Sequence, residues 1–179
     1  MRKRWTVLAG GGALTLAIMA FVQGSDQQAA PSDVVYTSDV QPIAFPHSVH
    51  AGTFQIDCQY CHFSAERSVD AGIPPVKTCI GCHTLINGRT PSAQAAIQQV
   101  REYDQRGESI PWTRIYKISD HAHFPHLRHV NAGVDCTECH GQVQEIGVIE
   151  EVNQPLYMGW CVSCHRERDV TTDCTVCHY

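Results

Sequence analysis

Leucine is scarce in this chain. From residue 23 onward it occurs 3 times, beside 11 Ile, 15 Val and 4 Phe, and the four types together make up 21% of that region. That is close to the level at which chains fail to bury a core of their own. Positive charge is scarce as well. The net charge is −5 overall, and beyond residue 22 only 10 basic residues face 18 acidic ones. This balance excludes a nucleic-acid binder. With 179 residues, the chain has room for one or two compact units. Something other than aliphatic side chains must fill their interior.

Cysteine and histidine are the residues in excess, with 10 Cys and 11 His. The cysteines form five pairs, each followed at once by histidine: Cys58-Gln-Tyr-Cys61-His62, Cys79-Ile-Gly-Cys82-His83, Cys136-Thr-Glu-Cys139-His140, Cys161-Val-Ser-Cys164-His165 and Cys174-Thr-Val-Cys177-His178. No cysteine lies outside these pairs. C-x-x-C-H is the attachment motif of c-type haem. The two thiols add across the porphyrin's vinyl groups, and the adjoining imidazole then reaches the iron. A disulfide framework would not place histidine after every second cysteine. Zinc would need sets of four ligands, which five pairs do not supply and which leave the histidines unexplained. The motifs therefore predict five haem c groups, with haem faces in place of the missing aliphatic core.

The amino end carries Arg2, Lys3 and Arg4 ahead of an uncharged run over 5–22. As a helix at ~1.5 Å per residue, 18 residues cover about 27 Å, close to the hydrocarbon thickness of a bilayer. We expect a retained single-pass anchor over 1–22, with a positive flank at 1–4 and the helix at 5–22. The alternative is a cleaved signal peptide ending near Val22-Gln23-Gly24. Either way the positive flank stays in the cytoplasm and the haem domain lies on the periplasmic side of the cell membrane. Ala9, Ala13 and Ala17 stand four apart, a small-residue face suited to another transmembrane helix.

The rest divides into a polar linker at 23–43, a two-haem module at 44–90, a connecting segment at 91–120 and a three-haem module at 121–179. In the connecting segment, Ser92 is the expected cap of a helix over roughly 93–106, with Ala96, Ile97, Val100 and Tyr103 on one face and Gly107 at its end. Elsewhere periodicity is weak. The expected fold is a multihaem cytochrome c, mostly irregular, with short α-helices wrapped around the haems and the N-terminal transmembrane helix in addition.

A second repeat accompanies the motifs. Phe45-Pro46-His47-Ser48-Val49-His50 precedes the first, and Phe124-Pro125-His126-Leu127-Arg128-His129 precedes the third. F-x-H-x-x-H just upstream of C-x-x-C-H resembles the class III cytochromes, the small multihaem c3 and c7 group. That resemblance implies that His47 and His50 ligate the first and second haems, and His126 and His129 the third and fourth. In c7-like proteins a residue just before the second motif of a trihaem module reaches the last haem. Here that place is taken by Met158, which the resemblance sets opposite His178, leaving His121 and His123 without an iron. By count alone the six histidines outside the motifs (47, 50, 121, 123, 126 and 129) each remain able to cap one.

The resemblance narrows with Gly107-Glu108-Ser109-Ile110-Pro111-Trp112, Asp120-His121, Ala132-Gly133-Val134-Asp135-Cys136 and Pro155-Leu156-Tyr157-Met158-Gly159-Trp160-Cys161. With an N-terminal anchor and motifs split two plus three, these resemble the pentahaem cytochrome c subunit of alternative complex III. That family implies a membrane complex oxidising quinol and passing electrons outward. Its partners would be a large iron–sulfur subunit, polytopic membrane subunits and a monohaem cytochrome c. Regular motifs with both axial positions filled point to electron transfer, and no catalytic residue is expected in this chain. Two alternatives stay open: a free-standing membrane-anchored quinol dehydrogenase, and a soluble periplasmic carrier like cytochrome c3.

Overall fold

The computed structural model describes residues 34–179. The expected membrane helix at 5–22, like the first part of the linker, lies outside them. Among the described residues no helix is long and apolar enough to cross a membrane. They contain helices and irregular chain, with no strand.

Each of the five motifs coincides with a helix: α1 (Cys58–Cys61), α2 (Val76–His83), α5 (Cys136–His140), α6 (Met158–Glu167) and α7 (Cys174–Cys177). Between them stand α3 (Pro91–Arg106) and α4 (His126–Asn131), with a π-helical turn at Ser48–Thr53 and a 3₁₀ turn at Val143–Glu145. Three motif helices are too short to persist by propensity. Each has an aspartate at its N-cap, directly before the first cysteine. Asp57, Asp135 and Asp173 accept from the backbone N–H of Gln59 (2.7 Å), Thr137 (2.8 Å) and Thr175 (2.8 Å).

The longest helix, α3, begins two residues earlier than its apolar spacing indicates. Its cap is Thr90 rather than Ser92: Thr90 Oγ1 accepts from the Ala93 N–H at 3.2 Å, and Pro91 occupies the first turn, where its missing N–H costs nothing. The Ser92 hydroxyl instead meets the Thr90 hydroxyl at 3.0 Å. Gly107 ends the helix at φ 66°, a left-handed conformation that glycine adopts without strain.

Aliphatic packing is confined to one small cluster. Ile43, Val76, Val100 and Ile110 are buried together, with Cys79, Ile80, Ala96, Tyr103 and Trp112 around them. This ties α3 to α2. Only Ala65 and Ile97 are also buried among the described apolar residues.

Candidate functional site

The two Phe-Pro-His segments fold alike, down to ring geometry. The Phe45 ring meets His47 edge-on (4.9 Å, 84°) and stacks on His50 (4.3 Å, 23°); the Phe124 ring does the same with His126 (5.0 Å, 88°) and His129 (4.2 Å, 28°). The proline carbonyl in each segment holds the second histidine. His50 Nδ1 donates to Pro46 O at 2.9 Å, and His129 Nδ1 to Pro125 O at 3.0 Å.

The motif histidines are fixed in the same manner. His62 Nδ1 donates to Gly72 O (2.8 Å), His83 to Ile86 O (3.0 Å), His165 to Thr171 O (2.8 Å) and His178 to His121 O (2.8 Å), while His126 Nδ1 donates to Val69 O (2.8 Å). A carbonyl oxygen only accepts, so in all these rings the proton sits on Nδ1 and the lone pair on Nε2 is left for a metal. Burial adds to this. It pushes His47 down to about 4, helped by His62 and His50, and it lowers His50 and His140 as well. A neutral imidazole is the form that ligates.

The imidazoles come in facing pairs. Ring centroids are 6.1 Å apart for His50 and His83, 6.4 Å for His126 and His140, 6.1 Å for His129 and His165, and 5.7 Å for His121 and His178. Two imidazoles on one iron, with bonds of about 2 Å and a ring radius of about 1.1 Å, would stand roughly 6 Å apart. His47 lies within charge-coupling range of His62. The donor set and its spacing thus fit a bis-histidine haem at the second, third, fourth and fifth motifs, and His47 is the neighbouring histidine at the first.

One placement differs from the sequence expectation. Met158 is not opposite His178; it opens α6 with its side chain 67% exposed. His121 takes that place. The His178 imidazole is bonded to the His121 carbonyl, and the His123 N–H donates to Cys177 O at 2.7 Å, so residues 121–123 are strapped across α7. His123 faces no other histidine and stacks on Tyr179 at 4.3 Å. Tyr116 is a site residue that the sequence does not reveal. Its ring meets His140 at 4.5 Å and its hydroxyl donates to His140 O at 3.3 Å.

The cysteine pairs follow one another in space in an order that is not their order in sequence. None of the ten is in a disulfide. Cys61 is coupled to Cys82 and Cys79, Cys136 to Cys58, Cys139 to Cys164 and Cys161, and Cys161 to Cys177. Burial, and next the Cys58 thiol, push Cys136 up to about 11. Neighbouring pairs are thus the second with the first, the first with the third, the third with the fourth, and the fourth with the fifth.

Residues 24–109 match the Class III cytochrome C family. That match spans just under half of the chain and makes the part that carries the first two motifs similar to c-type cytochromes. It is also 31% identical, over 108 residues, to the menaquinone reductase multiheme cytochrome c subunit of Nitratidesulfovibrio vulgaris (strain Hildenborough). That alignment covers 60% of this chain and 49% of the relative, so the chain spans about half the length of the curated protein it matches. The chain's second Phe-Pro-His segment and its last three motifs lie beyond the family match. The structural repeat relates them to the first part.

Proposed function

We propose that this chain is the electron-transfer subunit of a membrane quinol-oxidising complex of the alternative complex III kind, carrying five haem c groups. The observation that supports it is the set of five attachment motifs, four of which have a second histidine ring facing the motif histidine. Cys58/Cys61, Cys79/Cys82, Cys136/Cys139, Cys161/Cys164 and Cys174/Cys177 are the attachment residues. The pairs that would hold the five irons are His47 with His62, His50 with His83, His126 with His140, His129 with His165 and His121 with His178. When bound, the haems supply one-electron transfer, and with both axial positions held by histidine little rearrangement accompanies each event. The chain's own part is to fix seven of these imidazoles, those of His50, His62, His83, His126, His129, His165 and His178, through an Nδ1 bond to a backbone carbonyl.

The domain is proposed to lie on the periplasmic side, anchored by the helix at 5–22, with an iron–sulfur subunit, polytopic subunits and a monohaem cytochrome as partners. A second reading reverses the direction. The relative is named a menaquinone reductase subunit, which favours electron delivery toward quinone. Purification from native membranes tests both. An intact mass carrying five haems, and a stable complex with iron–sulfur and polytopic chains, is the expected result; a lone monomer overturns the complex. Rapid haem reduction by a quinol analogue supports oxidation. Haem oxidation by a quinone supports the second reading.

A further inference from the structure

The repeat in this chain is a reciprocal one. The backbone N–H groups of His47 and Ser48 donate to Gly147 O (2.9 Å) and Ile146 O (2.8 Å), while those of His126 and Leu127 donate to Val69 O (2.9 Å) and Ser68 O (3.0 Å). Ser68 and Val69 stand six and seven residues after His62, and Ile146 and Gly147 stand six and seven after His140. Each Phe-Pro-His segment is thus pinned by the loop that follows the other half's motif. Equivalent residues lie near one another where the halves join: Cys58 neighbours Cys136, and His62 neighbours His140. The backbone exchange is thus the same in both directions.

We infer that the first and third haem sites are reciprocally locked: the loop after each attachment motif positions the distal histidine of the other site. The inference rests on the haem-site assignment proposed above. Four backbone bonds, two in each direction, set where His47 and His126 stand. Side chains reinforce the exchange. The Asn131 amide donates to Glu66 O at 3.0 Å, and the Tyr36 hydroxyl meets the Ser48 hydroxyl at 3.1 Å beside Gly147. Gly147 is required at its place, because a Cβ there would lie 2.9 Å from Tyr36 Cε1 and 3.0 Å from Cδ1. Gly147 and Val69 are positioning residues that act across the join through their carbonyl oxygens.

The test uses the full-length holoprotein. Gly147→Ala should push Tyr36 and the loop and cost the first site its low-spin signal in electron paramagnetic resonance, assigned by its loss in His47→Ala. The third site, whose motif lies nearest in sequence, should keep its signal. Tyr36→Ala added to Gly147→Ala removes the obstacle and should restore the first site. Loss at the third site instead, or five unchanged signals, overturns the inference. Where Gly147→Ala yields no protein, hydrogen exchange on the unaltered holoprotein decides. Slow exchange at the amides of His47, Ser48, His126 and Leu127 is expected, and fast exchange at either pair overturns the lock. The haem count by mass is read in every sample; a count other than five is a failure of the site assignment, whereas five haems without cross-effects are a failure of the lock alone.

Discussion

Arg101 grips the carbonyl oxygen of His83 with two guanidinium nitrogens, Nε at 2.8 Å and Nη2 at 2.5 Å. The same Nη2 reaches Asn87 Oδ1 at 2.5 Å. That carbonyl belongs to the last turn of α2, where acceptors have no partner within the helix and a cation is favoured. Arg101→Ala should therefore loosen the end of α2 that carries the second motif histidine. We expect a loss of about 1–2 kcal/mol in thermal unfolding, the range for half-exposed hydrogen bonds to a charged group. The second haem's reduction potential should shift while the fifth's does not.

The His121 ring, and not the exposed Met158, lies against His178, and the ligand pair proposed from this gives a spectroscopic prediction. Met158→Leu should leave all haem spectra unchanged, since the side chain is largely in solvent. His121→Ala should leave one haem without its sixth ligand, visible as a high-spin signal. A sulfur-to-iron band that disappears in Met158→Leu would restore methionine to the site.

The aspartate caps predict an acid limb in the stability profile. Hydrogen bonds from the Thr137 side chain and backbone hold the Asp135 carboxyl below its ordinary value of 3.8, and Thr175 does the same for Asp173. The folded state prefers the ionised form, so the contribution is complete above the ordinary carboxylate value and is lost as pH falls through the lowered one. The double variant Asp135→Asn/Asp173→Asn keeps cap acceptors that do not titrate. It should lose stability less steeply than the parent below about pH 4, measured by thermal unfolding across pH. Asp135→Ala at neutral pH should cost about 1 kcal/mol.

Assembly without haem should fail. Six buried apolar residues, four of them in one cluster, are too few to offset the entropy of ordering this much irregular chain. Expression without a cytochrome c maturation system should give no cooperative unfolding transition by circular dichroism. A haem-free protein with such a transition would contradict this.

The parts of the site that a sequence displays are those carried by residue type. The five motifs, the twin Phe-Pro-His segments, and the apolar face of α3 with Gly107 behind it all show in composition and spacing. The Asp-Cys pairs were legible too, as cap residues ahead of short helices, though haem attachment draws the eye to the cysteines. His121 was harder, because six free histidines exceed five irons and only the strap across α7 selects among them. The cap of α3 fell to Thr90 over Ser92 because Pro91 best fits the first turn. Tyr116 and Arg101 act on backbone carbonyls, and the reciprocal bonds run from backbone to backbone. Such contacts leave no residue signature, so no pattern in the chain announces them.

Single-file order has an engineering consequence for this chain. Components connected in series have no bypass, so the position of a defect matters more than its chemistry. Losing the second or the fifth site, at the two ends of the row, would shorten the conductor but leave it continuous. Losing the first, third or fourth would cut it in two. The first and third sites are the pair joined by the reciprocal backbone bonds, which therefore reinforce two of the three places where a fault would break continuity.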